Sequence, residues 1–412
     1  AVVLTALDDI AWTLNIRASD VDYNPVCLSY LIIGKTTAQW FVGKERVGEE
    51  LASAMSQAGV QLAAYDAIDD ALRQFPAAQR LAIDPAGLSF YHFELLAGKD
   101  LAEHGSPITA MKAVKNETEI AHYRQVMRKD GVALLRLFRW LEQELQNRGV
   151  TEVEVAERLA QFRAQQPGYQ GESFGAIVGY KGNGAIVHYR AMPDTCATLR
   201  QEGILLLDSG GQYLDGTTDV TRTIAIGEPT DEMRHNFTLV LKGHIALATA
   251  VFPLGTTGLT LDAFARQYLW RDGLDYRHGT GHGVGAYLNV HEGPHLISYR
   301  AAANNPPLKA GMTVTNEPGY YEDGAFGFRI ENVMLVVPAA TPHNFDATDF
   351  LAFETITFAP LARDLIDVAL LSQAERDWVD AYHQQVLDHL TPRMASDEQR
   401  AWLGQACASL GA

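Results

Sequence analysis

Cysteine is scarce in this chain. Cys27, Cys196 and Cys407 are odd in number and far apart, so they build neither a disulfide framework nor a thiolate metal site, and they suit a reducing cytoplasm. Long apolar runs are missing too: none approaches the roughly 20 residues of a membrane-spanning helix. Positive charge is in deficit, 33 Lys and Arg against 50 Asp and Glu, for a formal net charge of −17. That balance argues against nucleic acid or an anionic membrane as the main partner. The start, Ala1-Val2-Val3-Leu4, lacks an initiator Met and a basic leader. It is not read as a signal peptide, and the chain is expected to begin partway through a longer protein.

What is present is ordinary globular composition, 47% apolar and 20% charged over 412 residues, long enough for two or three domains. Alternating short apolar runs (28–34, 39–43, 60–65) and helical stretches (49–58, 67–74) predict a small α/β domain over residues 1–112. Trp12, Arg17 and Asp20 stand out there, read as a packed Trp beside a surface ion pair. From Asn116 a long amphipathic helix is expected to reach about Asn147, weakened at Gly131. Thr151 with Glu154, Ser372 with Glu375, and Ser396 with Gln399 have the spacing of capping boxes. Strands are expected at 174–178, 184–189 and 204–226, and helices at 231–251 and 260–272. Residues 113–350 read as two halves of like design, each ending in a strand pair that presents two acids. Residues 351–412 read as a helical tail for packing or dimerisation. The fold class expected is α+β.

The first acid pair is Asp208 and Asp219, with the turn Ser209-Gly210-Gly211 at the start of the interval between them. A carboxylate at the buried end of a strand is costly unless a cation meets it, and that cation could be Arg222 or a metal. The second pair is Glu317 and Glu331. Four histidines, His278, His282, His291 and His295, crowd into a glycine-rich segment. A dinucleotide loop is rejected there, because no strand–turn–helix frame surrounds the glycines. Four carboxylates and one imidazole would balance two divalent cations held ~3.5–4 Å apart, and such metals make water a strong nucleophile at neutral pH. Oxygen-rich ligation favours manganese, cobalt or iron over a structural thiolate zinc site.

The motifs Asp208 with Asp219-Val220-Thr221-Arg222-Thr223, His278-x-x-x-His282, His291, Glu317-Pro318-Gly319 and Arg329-Ile330-Glu331 resemble those of the pita-bread metallopeptidases. Within that superfamily, Asp215–Asp219, the block from His278 to Pro294, and Pro318–Gly327 resemble the large cytosolic Xaa-Pro aminopeptidases, and the likeness runs through essentially the whole chain. The resemblance implies a creatinase-like N-terminal domain (1–112), a pita-bread catalytic domain (113–350) and a C-terminal helical extension (351–412). It implies Asp208, Asp219, His282, Glu317 and Glu331 as ligands of two divalent metals, manganese first, with cobalt, zinc or iron as alternatives. Glu317 would also move the proton of the attacking water. His188, His278 and His291 would form the substrate site, His188 and His291 with catalytic roles, and Arg329 would orient acids and touch substrate. Substrates would be peptides with an N-terminal Xaa-Pro; the enzyme would be a cytoplasmic homodimer. Alternatives are a prolidase confined to Xaa-Pro dipeptides and a non-catalytic peptide-binding pita-bread module. Large aminopeptidases of this type carry a further domain ahead of the segment that resembles residues 1–112, and this chain is expected to lack it.

Overall fold

The computed structural model describes residues 1–300, 305–343 and 345–411. The chain forms two compact units, Ala1–Lys112 and Ala113–Ala412.

The first unit is one six-stranded sheet. Its order is Val60–Ala63, Ala38–Val42, Ser29–Ile33, Val2–Leu4, Leu81–Ile83, Leu101–Glu103. Ser29–Ile33 pairs antiparallel with both of its neighbours, and the other three pairings are parallel. Strand periodicity sends alternate side chains to opposite faces, and this unit uses it on both sides. Val3 and Phe41 join Ile68, Leu72 and Leu81 on one face, while Leu4, Trp40 and Val42 join Ile10 and Leu31 on the other. Asp20 pairs with Arg46.

The second unit opens with the helix Glu117–Leu145, capped by a full box between Asn116 and Glu119. Gly131 is a point of close approach in it: a Cβ there would lie 2.3 Å from Phe358 O and 3.1 Å from Leu390 Cδ1. The next helix, Glu152–Ala164, is capped by the Thr151 hydroxyl. Ser372 and Glu375 make a complete box for the helix Gln373–Leu390. Ser396 caps Asp397–Ala406, where the Gln399 amide oxygen instead accepts from Ala395 N–H.

Two antiparallel strand pairs carry the four acids. Ile204–Ser209 pairs with Val220–Ala225, Asp208 facing Thr221, and Asp219 stands one residue before the second strand. Between them the chain makes a second small hairpin, Gly211–Tyr213 against Gly216–Thr217, so the interval between the two aspartates holds an extra strand pair and not a single turn. Thr313–Asn316 pairs with Asn332–Ala339, with Glu317 just after the first strand and Glu331 just before the second. The helices Asp231–Ala248 and Gly258–Arg271 lie between the two strand pairs in sequence. One expected strand is absent: residues 181–185 form a 3₁₀ turn, and His188 comes after it in a further turn. Gly182 and Gly184 favour turning over extension there.

Candidate metal centre

The two strand pairs are stitched together. Glu331 N–H donates to Thr221 O at 3.1 Å, and the Thr221 hydroxyl donates to Glu331 Oε2 at 2.7 Å. The Thr223 hydroxyl donates to Arg329 O at 3.0 Å and accepts from Arg329 N–H at 3.2 Å. These bonds put the ends of both pairs, and so all four carboxylates, in one place. Oxygens of Asp208, Asp219 and Glu331 lie within 4.8 Å of one another, as do ligand atoms of His282, Glu317 and Glu331.

His282 is delivered by the short strand Gly281–Gly283, which pairs with Glu292–Ile297. Gly281 is required by packing: a Cβ there would sit 2.0 Å from Thr315 O. The ring contacts Gly283 O through Nδ1 at 2.8 Å, which leaves Nε2 facing Asp219 Oδ2 at 3.4 Å and Glu317 Oε1 at 3.6 Å. A carbonyl oxygen can only accept, so Nδ1 carries a hydrogen and Nε2 is the nitrogen turned toward the acids. The His291 ring meets that of His282 edge-on at 4.3 Å, exposed at the mouth of the cluster. Its Nδ1 or Nε2 also comes within reach of Asp219 and His282.

The electrostatics are those of acids crowded out of water. Asp219 and Glu331 are raised well above the ordinary carboxylate range, chiefly by burial and then by the other carboxylates. Glu317 is raised by burial too, with His282 and Arg329 pulling it back. Arg329, 2% exposed, donates to Asp208 Oδ2 at 2.7 Å. Asp208 Oδ1 is buried with no hydrogen-bond partner among the described residues. One arginine against four carboxylates leaves the acids either to hold protons or to meet a further cation, and an orphaned buried oxygen among them favours the cation.

Residues 121–338 match the model of metallopeptidase family M24, residues 1–119 that of the creatinase/prolidase N-terminal domain, and residues 349–410 that of the C-terminal region of peptidase M24. The chain belongs to metallopeptidase family M24. It is 46% identical, over its full length, to the probable Xaa-Pro aminopeptidase P of Laccaria bicolor, and 44% identical over 98% of its length to aminopeptidase P2 of Arabidopsis thaliana. It spans 65% and 61% of those two proteins, under two-thirds of each. Among solved structures it is similar to the X-prolyl aminopeptidase of Caenorhabditis elegans, described as a cytosolic enzyme with a di-nuclear active site. The TM-score is 0.94 at 34% identity, covering 99% of this chain and 68% of that one. The Xaa-Pro dipeptidase of Bacillus anthracis gives a TM-score of 0.70 at 25% identity, covering 87% of this chain and 93% of that one. A creatinase-type N-terminal domain followed by an M24 pita-bread domain is therefore the architecture.

Around this M24 centre the other predicted residues fall at different depths. His278 receives the Tyr321 hydroxyl at Nε2, 2.8 Å away, and its Nδ1 lies 2.7 Å from Gly279 O. Burial, with Arg329 second, pushes its pKa down to about 3, so the ring is neutral and both nitrogens are engaged within the protein. His188 is exposed and near enough to His278 and His291 for its charge to bear on both. Arg222 is not the partner of Asp208 or Asp219. Its guanidinium donates to the carbonyls of Thr221, Glu331, Ala359 and Pro360, to Asn332 Oδ1 and to the Tyr382 hydroxyl. His295 is fully buried, its Nε2 2.7 Å from Thr313 O. Glu292 is buried against Lys115.

Sequence reasoning does not single out Tyr321, whose hydroxyl also accepts from Arg329 Nη1 at 2.6 Å, nor Thr221 and Thr315. Thr315 Oγ1 donates to Glu317 Oε1 at 3.2 Å and accepts from His282 N–H at 3.0 Å. Asp262 and Arg266 escape it as well. Arg266, fully buried, binds the Asp262 carboxylate and donates to His278 O at 2.7 Å, while Thr280 Oγ1 donates to Asp262 at 2.6 Å. The spacing of Asp262 and Arg266 on one helix face is the available signal.

Proposed function

We propose that the chain is a metallo-aminopeptidase that releases the N-terminal residue from peptides with proline in second position. Asp208, Asp219, His282, Glu317 and Glu331 would hold two divalent metals. The observation that carries this is the convergence of four carboxylates and one imidazole, with Asp208 Oδ1 buried and unpartnered among the described residues. The names of the similar proteins support the same reading. Four negative charges suit two divalent cations, and the oxygen-rich set suits manganese before cobalt, zinc or iron.

Bound metals would supply Lewis acidity toward a peptide carbonyl and toward water. The chain's own residues supply the rest. Glu317, its carboxyl raised by burial, is suited to accept the proton of the attacking water and return it to the departing nitrogen. His291, exposed at the mouth, can donate a hydrogen bond to the carbonyl oxygen as negative charge develops there. His188 lines the substrate side with it. Arg329 fixes the orientation of Asp208, beside which the substrate's α-amine would sit, and reaches His278 through the Tyr321 hydroxyl. An Xaa-Pro bond has no N–H, so recognition of the second residue must come from the shape of the proline ring.

The test is a tripeptide panel with manganese-loaded protein. Cleavage of Arg-Pro-Pro with Arg-Ala-Pro left intact is expected, and equal cleavage of both removes the proline claim. Glu317→Ala and His291→Ala should each cut turnover by at least ~10²-fold. The likeness to a dipeptidase structure keeps a second reading in play, a prolidase; cleavage of an Xaa-Pro dipeptide but of no Xaa-Pro tripeptide would decide for it. No helix of the described residues is long and apolar enough to cross a membrane. A cytoplasmic homodimer completes the proposal, checked by sedimentation and by fractionation of the source cell.

A further inference from the structure

Glu152 is a carboxylate with 0% exposure placed at the first turn of the helix Glu152–Ala164. It makes no contact with the cluster of acids, yet its two oxygens gather a segment from several points. Oε1 accepts from Tyr180 N–H at 2.8 Å and from Asn183 Nδ2 at 2.9 Å. Oε2 accepts from Asn183 Nδ2 at 3.1 Å, the Tyr189 hydroxyl at 2.8 Å and Ala197 N–H at 2.7 Å. The Glu152 N–H in turn donates to Ala197 O at 3.1 Å. Every one of these side-chain partners is an uncharged donor, so both carboxylate oxygens are needed as acceptors.

The points gathered are the entry, the first turn, the middle and the exit of the segment 180–197, and His188 lies in it, one residue before Tyr189. Successive turns set its place: Ile186 N–H donates to Asn183 O at 3.2 Å, and Tyr189 N–H to Ile186 O at 2.9 Å. On the other side of His188, Val187 O accepts from Arg329 Nη2 at 3.5 Å. His188 itself is exposed, and its backbone position is inherited from its neighbours. Only Tyr180, at the start of the segment, is in a strand, paired with Leu205; for the rest, a buried acceptor that collects four of the segment's groups is a means of fixing one conformation.

We infer that Glu152 is the positioning residue of the substrate side of the site, holding segment 180–197 so that His188 stands beside His278 and His291. The inference rests on the proposed peptidase reading for its effect on substrate, but not for its effect on the segment. A glutamine at 152 keeps one oxygen and replaces the other by an amide that faces donors, leaving buried groups unpaired. The segment should loosen and substrate binding should suffer while the acid cluster, on other strands, is untouched.

The experiment compares the full chain with Glu152→Gln, His188→Ala and the double variant, all loaded with manganese. Hydrogen exchange over residues 180–197 should rise in Glu152→Gln, with metal content equal to that of the parent. With Arg-Pro-Pro as substrate, KM should rise about 10-fold at nearly constant kcat, and the double variant should be no worse than His188→Ala alone. Tyr189→Phe removes a single donor without altering the buried carboxylate, and should shift KM the same way by less; it keeps the test open if Glu152→Gln does not fold. Unchanged exchange over 180–197, loss of metal, or effects that multiply with those of His188→Ala would overturn the inference. If the parent cleaves no Xaa-Pro peptide, the peptidase reading fails, and the exchange data alone decide whether Glu152 orders the segment.

Discussion

Arg329 is the residue on which the acid cluster turns. Its guanidinium spans Asp208, Tyr321 and Thr221 at 2.7, 2.6 and 3.3 Å, and it is buried almost completely. A planar fork can serve three acceptors in fixed directions; a lysine ammonium in the same space cannot. Arg329→Lys should therefore lower kcat/KM by about 10- to 100-fold, the range seen when partners behind a metal ligand are removed. Arg329→Lys that keeps parent activity would show that charge alone suffices. At this scale the sequence exposes residue types and not their pairings. For Asp208 and Asp219 the sequence offers Arg222 as the nearby arginine, and Arg329 enters only through the resemblance, as a residue that orients acids. The structure gives Asp208 to Arg329 and spends Arg222 on carbonyl oxygens and on the Tyr382 hydroxyl. Tyr321 is hidden for the same reason: one tyrosine among sixteen says nothing of where its hydroxyl points.

Among elements, the long periodic ones are legible and the short ones are not. The helix Glu117–Leu145 announces itself by periodicity and by its Asn116 cap. The strands Val2–Leu4, Leu81–Ile83 and Leu101–Glu103, three residues each, offer too little alternation to register and owe their existence to pairing within one sheet. Ile186 and Val187 are β-branched and argue for an extended 184–189 segment; the glycines on its near side win. Gly131 looks like a flaw in the long helix, and it is a packing requirement. With Phe358 O 2.3 Å from where a Cβ would stand, Gly131→Ala must push the chain near Phe358 or the Leu390 helix end away. The cost should be about 1–3 kcal/mol, typical of an overfilled core, where an ordinary helix would gain stability from alanine. Chemical denaturation settles the sign: a stabilised Gly131→Ala would mean that the two elements separate readily.

For the whole molecule, the net charge of −17 matters less than where four of the negative charges lie. Asp219 and Glu331 bind protons more tightly in the folded, metal-free chain than in the unfolded one, because burial and mutual repulsion raise both. Below an unfolded carboxylate pKa of roughly 4 these acids are protonated in both states and impose no penalty. As pH rises above that value the unfolded chain gives up its protons first, and the metal-free fold loses stability through the window up to the raised folded values. Divalent cations reverse the sign of the problem, since they favour the ionised carboxylates and compete with the protons. Chelator-treated protein should therefore melt at a lower Tm at pH 8 than at pH 5.5, and Asp219→Asn should narrow that gap. At one fixed concentration manganese should raise Tm more at pH 8 than at pH 5.5, because its Kd is lower where fewer protons compete; each site contributes about 2.7 kcal/mol when manganese stands at 100 times its Kd. Asp219→Asn should flatten both trends, raising the Tm of the metal-free protein at pH 8 while weakening the response to manganese. A calorimetric series over the two pH values, with and without metal, reads all of this in one experiment. Equal manganese shifts at both pH values, or an Asp219→Asn variant that responds to manganese as the parent does, would mean that the buried acids are not where the metal binds.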